Sequence, residues 1–203
     1  MVKAAANFIS VVFHPLFLTT YLFAVLMYFF PAFFLPLRPS WGFLFLILLM
    51  TFILPAINFL IFRMSGSIKD FTLPHRSDRA LPFAFIAILY TVVTLMFYLK
   101  FPNPTAVRLM LIASALVIAS AIITLFYKIS IHTLAVWGMV GMLLPLNKPA
   151  EGTLLYPTVV CLLVAGLVMW ARLALQAHSP REVLVGALTG CSIGFAGIII
   201  LFA

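Results

Sequence analysis

The sequence predicts an all-α polytopic membrane protein, one transmembrane domain over residues 1–203 built as a bundle of six to seven transmembrane helices. Three observations predict it. Of the 203 residues, 66% are hydrophobic and 8% are charged, whereas a soluble domain is nearer half apolar and a quarter charged. The apolar runs reach the length of a bilayer span, about 20 residues, and lack the period-two alternation of an outer-membrane barrel. The charged residues, finally, gather between the runs rather than inside them.

Seven apolar segments follow in order, roughly 8–30, 41–62, 81–100, 105–127, 131–146, 153–172 and 183–203, each set against the span length of about 20 residues. The start, Met1-Val-Lys3-Ala-Ala-Ala, leads into the first run without a clear small-residue cleavage site, so that helix is expected to stay as an anchor. Prolines mark the breaks: Pro31, Pro36 and Pro39 after the first segment, Pro102 and Pro104 after the third, Pro180 before the last. The fifth segment is short for a span. Trp41, Trp137 and Trp170 lie near segment ends, where interfacial aromatics belong. Cys161 and Cys191 sit inside apolar runs with no metal-ligand spacing and read as packing residues.

In the last segment Gly186, Gly190 and Gly194 recur every four residues, a spacing that lets helix backbones approach closely. They serve either as a homodimer seam or for tight packing within one chain, and packing is the commoner use. The net charge of +8 fits topogenic charge, anionic headgroups or an anionic substrate. No basic tract is interleaved with aromatics, so nucleic acid is excluded as a partner and membrane lipids are expected instead.

Three polar stretches, 63–79, 128–132 and 172–182, hold most of the charge together with His75, His132 and His178. Two apolar segments separate each stretch from the next, so all three return to one membrane face. The first contains Lys69-Asp-Phe-Thr-Leu-Pro-His-Arg76-Ser77, the second Lys128-Ile-Ser130-Ile-His132, and the third Arg172, His178 and Glu182 spaced six and then four residues apart. Ionisable groups beside spanning helices are costly and usually functional. An arginine for an anion, a histidine for proton or phosphoryl chemistry and a carboxylate to hold it form a compact catalytic set.

In this order the stretches resemble the three-part signature of the type 2 phosphatidic acid phosphatase (PAP2) superfamily: Lys-x6-Arg-Pro, Pro-Ser-Gly-His and Ser-Arg-x5-His-x3-Asp. The spacings within all three parts agree over residues 69–182. Ser77 replaces the first motif's proline, Ile129 and Ile131 the second's proline and glycine, Ala171 the serine and Glu182 the aspartate. Two apolar segments also separate motifs that family members usually carry in one loop.

The resemblance implies a PAP2-like bundle and a metal-independent phosphatase without cofactors. Lys69, Arg76 and Arg172 would clamp phosphate oxygens, with Ser130 adding a hydroxyl. His178 would attack phosphorus and form a phosphohistidine, Glu182 would hold its other ring nitrogen, and His132 would protonate the leaving group and then activate water. The expected substrate is a lipid phosphomonoester or a polyprenyl pyrophosphate, and the expected location is the bacterial cytoplasmic (inner) membrane. Which side the site faces stays open, because the positive-inside count loses its margin once the proposed ligands are set aside.

Each residue also has a plainer role. Ser179-Pro180-Arg181-Glu182 is a helix start with a capping box, which alone would account for Glu182. Lys128 and Arg172 sit where basic residues snorkel to the interface. The motif spacing favours an anion site for Arg172 but not for Lys128. His14, followed by Pro15, reads as a buried histidine bonded to a carbonyl and receives no role. With Ile131 for glycine, the alternative is a catalytically weak lipid-phosphate-binding protein or a transporter using the same cations.

Overall fold

The computed structural model describes residues 1–36, 40–67, 77–101, 103–147 and 154–202. Among them the regular structure is helical throughout, with no strand. Five helical stretches are long and apolar enough to cross a bilayer, and a sixth is formed if a bent pair counts as one span. The protein is thus an all-helical integral membrane bundle at the lower end of the expected span number.

The bent pair is the first segment. It is two helices, α1 (Val2–Val12) and α2 (Pro15–Phe29), inclined by 60° at the Phe13-His14 break. Pro15 forces the break, because it has no N–H to continue the α1 ladder but suits the first turn of a new helix. His14 caps that turn, its Nδ1 accepting from the Leu16 amide at 3.4 Å. A phenolic bond from Tyr21 to the Val12 carbonyl, 3.0 Å, ties the two arms together.

The second span, Trp41–Met64, is α3 (Trp41–Leu48) and α4 (Leu54–Met64) joined by a π-helical turn at Leu49–Ile53. Pro55 explains the turn, since it cannot donate to the carbonyl of Thr51. That carbonyl instead accepts from the buried hydroxyl of Tyr90, 3.2 Å away on the next helix. α5 (Ser77–Lys100) and α6 (Pro104–Phe126) form an antiparallel pair. α6 starts on Asn103, whose side-chain oxygen accepts from Ala106 N at 2.7 Å while its amide donates to the Phe33 and Leu35 carbonyls.

α7 (Ile131–Leu143), extended by a 3-10 turn to Leu146, is too short to cross alone. It is sheathed by α2, α6, α8 (Leu155–Ala174) and α9 (Pro180–Phe202), so it need not reach from headgroup to headgroup. Most of its residues are buried. Trp137 is half-buried and donates to Met169 Sδ at 3.1 Å on α8.

The glycines of α9 face α7. A Cβ at Gly190 would strike the Leu134 carbonyl, one at Gly194 the Gly138 carbonyl, and one at Gly186 the Thr133 hydroxyl. Gly141 of α7 returns the approach against the Cys191 carbonyl. Of the two uses expected for Gly186, Gly190 and Gly194, packing within the chain is the one realised.

Candidate active site

α8 ends and α9 begins within a few residues, and this junction aims His178. The amide of Ala177 bonds the Arg172 carbonyl at 3.2 Å and that of Gln176 the Leu173 carbonyl at 2.9 Å. This is a Schellman closure, with Gln176 left-handed at φ 53° where glycine is the usual choice. α9 then starts with the expected capping box: Ser179 N donates to Glu182 Oε2 at 3.2 Å, and Glu182 N to Ser179 Oγ at 3.4 Å. Between the two caps stands His178.

Glu182 does more than cap. The same Oε2 accepts from His178 Nδ1 at 2.8 Å, so the longer carboxylate side chain does reach the ring. One carboxylate oxygen thus serves both the cap and the contact with the histidine ring. The side chains are 7% and 17% exposed for His178 and Glu182. Burial pulls His178 from 6.5 down to about 4; the hydrogen bond to Glu182 opposes this, while Arg172 and Lys128 add to it. At neutral pH the imidazole is therefore uncharged, and the contact is an Nδ1–H to carboxylate hydrogen bond rather than an ion pair. With Nδ1 engaged, Nε2 is the nitrogen left for chemistry.

His178, Arg172, His132 and Lys128 all line one cavity of about 870 Å³. His132, on the first turn of α7, packs against His14 with ring centroids 5.4 Å apart and lies within electrostatic reach of Arg172 and His178. Arg172 Nη1 donates to Ser10 Oγ at 3.4 Å, which fixes the guanidinium against α1. From His132 the cavity follows α7 to Met142, about 15 Å at helical rise. Phe52, Phe59, Ile86, Tyr90 and Leu116 give it apolar walls from three other spans. One volume therefore joins a cationic, histidine-rich mouth to a greasy limb inside the bundle.

The expected residues do not all arrive. His178, His132 and Arg172 meet, and Glu182 backs His178. Ser130 does not line the cavity: it is 0% exposed, its hydroxyl has no partner among the described residues, and its amide is tied to the Glu182 carbonyl at 3.3 Å. Ile131 occupies the wall in its place. Lys69 and Arg76 lie outside the described residues. Two residues that sequence reasoning passed over do line the mouth, Lys128 and His14. For Lys128 the available signal was its place four residues before His132. His14 gave none beyond its proline neighbour.

Among the described residues no three His, Cys, Asp or Glu side chains converge to hold a metal ion. No curated protein and no solved structure matches the chain. Residues 124–203 match the family model described as PAP2 superfamily. The match takes in the second and third motifs, the whole of α7, α8 and α9, and every described site residue except His14. The motif resemblance and the family model point the same way: over this C-terminal part the chain is similar to the PAP2 superfamily.

Proposed function

We propose that this chain is a membrane phosphatase that hydrolyses a lipid phosphomonoester or a polyprenyl pyrophosphate through a phosphohistidine on His178. The observation that supports it most is the single cavity joining His178, His132, Arg172 and Lys128 to an apolar limb. An anionic head fits the cations, and a hydrocarbon tail fits the limb. The superfamily match supports phosphatase chemistry in general.

The reaction runs in two steps. His178 Nε2 attacks phosphorus, and a P–N bond forms as the P–O bond to the leaving group breaks. His132 gives its proton to that leaving oxygen, an alcohol for a monoester or a lipid monophosphate for a pyrophosphate. Water, deprotonated by His132, then attacks phosphorus, the P–N bond breaks, and inorganic phosphate leaves with both histidines restored. Glu182 supports the positive charge that His178 carries in between, and Arg172 and Lys128 oppose the charge on the equatorial oxygens. Lys69 and Arg76 join this clamp by the family pattern. The scheme needs no metal.

Phosphate release by purified protein from a panel of lipid phosphates and pyrophosphates, beside His178→Ala, tests it. Turnover that falls at least about a thousandfold in the variant supports the scheme. Equal turnover in both proteins ends the nucleophile assignment. Ile131 on the cavity wall and the sealed Ser130 hydroxyl favour a second reading, a lipid-phosphate-binding protein or transporter with weak or absent turnover. Binding of orthovanadate without turnover on any substrate selects that one.

A further inference from the structure

We infer that His14 is a substrate-binding residue of this site, donating a hydrogen bond from Nε2–H to the phosphoryl group in the cationic mouth. The inference rests on the anion-site reading above and adds a residue from the far end of the chain, outside the matched segment. Its ring lines the cavity and meets His132 edge to face, centroids 5.4 Å apart. Its Nδ1 accepts from the Leu16 amide, which in a neutral imidazole leaves the proton on Nε2. The helix start thus sets the tautomer, and Nε2–H is the donor that remains for the cavity.

The position has a structural cause. Pro15 breaks the first segment at this point, and the 60° turn between α1 and α2 sets His14 against His132 and beside Arg172. The mouth also lacks a neutral donor from the second motif, because the Ser130 hydroxyl lies behind the cavity wall. His14 supplies one from the opposite side. A capping histidine with no further role would not need to share a cavity wall with His132, Arg172 and His178.

Two variants separate binding from capping. His14→Asn keeps a strong N-cap but is too short to reach the cavity. His14→Gln carries an amide N–H near the Nε2 position and caps less well. Purified wild type and both variants are compared for orthovanadate affinity and for kcat/KM on p-nitrophenyl phosphate, with thermal unfolding recorded alongside. The expected result is on the order of a tenfold to hundredfold loss of vanadate affinity in His14→Asn, the range for a hydrogen bond to a charged group. His14→Gln recovers most of that loss despite the poorer cap. Wild-type vanadate affinity in His14→Asn overturns the inference, as does a loss in both variants that follows only their unfolding temperatures. If p-nitrophenyl phosphate is turned over equally by wild type and His178→Ala, the phosphatase scheme falls, while the vanadate series still decides His14.

Discussion

Two helix pairs in this bundle are held together by different means. Along α7 and α9 the backbones approach closely, with Gly190, Gly194 and Gly141 against facing backbone and Gly186 against the Thr133 hydroxyl. Along α5 and α6 side-chain hydroxyls do the work: Thr94 Oγ1 lies 2.7 Å from Ser114 Oγ, and Ser114 donates to the Tyr90 carbonyl. The first arrangement leaves no room for one helix to shift against the other. The second keeps side chains, and therefore space, between helices. A division of labour follows from that contrast: Glu182, His178 and His132 stand at the end of the rigid seam, while α5 and α6 wall the apolar limb.

The contrast breaks most visibly at Gly190. Gly190→Leu must push α9 off the Leu134 carbonyl, and we expect a loss of about 3 kcal/mol or more, the upper range for overpacking. Thermal unfolding in detergent reads it, and an unchanged midpoint would mean that the seam yields. A second effect belongs to the site end of the same seam. His178 has a lower proton affinity folded, about 4, than unfolded, 6.5. The unfolded chain thus takes up the extra proton, and stability is lost as pH falls from 6.5 to 4 and is unaffected above that window. The shift corresponds to a loss on the order of 3 kcal/mol. Unfolding followed against pH should show a shallower limb in His178→Ala than in the wild type, by about the share that His178 contributes.

Smaller changes sharpen the comparison. Glu182→Gln preserves a capping box, in which glutamine serves as well as glutamate, but removes the charge behind His178. Turnover should fall on the order of tenfold to a hundredfold, the worth of a hydrogen bond to a charged group, with little change in unfolding temperature. A parallel loss of both would reduce Glu182 to its cap. Thr94→Val, which deletes the hydroxyl bridge between α5 and α6, should cost about 0.6 kcal/mol, the average for such bonds in membranes. A cost several times larger would mean that the α5–α6 pair is as rigid as the glycine seam.

Much of this was legible in the residues. The Ser179-to-Glu182 cap is a local pattern, and it starts α9 where expected. The spacing of Arg172, His178 and Glu182 placed the three at one helix junction, because positions four apart across a helix start are neighbours. The spans from Trp41 to Phe126 appear within a few residues of the hydropathy estimate. His14 and Lys128 were harder, since nothing local distinguishes a histidine that caps a helix, or a lysine that snorkels, from one that also faces a cavity. For Ser130 the motif position gave no sign that its side chain is buried and does not line the cavity.

The sequence by itself determined the solvent this chain folds in, the number of polar junctions between its apolar runs, and the caps and breaks at His14-Pro15, Asn103-Pro104 and Ser179-Pro180. These are short-range matters of hydropathy, missing proline N–H groups and side chains that bond backbone a few residues away. Only the tertiary structure decided which polar groups share the cavity. The rotation of α7 is set by glycines on α9 some fifty positions later, and it turns His132 inward while Ser130 is closed off. The bend before α2 brings His14 from the opposite end of the chain to the same place. Which way a side chain faces depends on the helices packed against it, and those are distant in sequence.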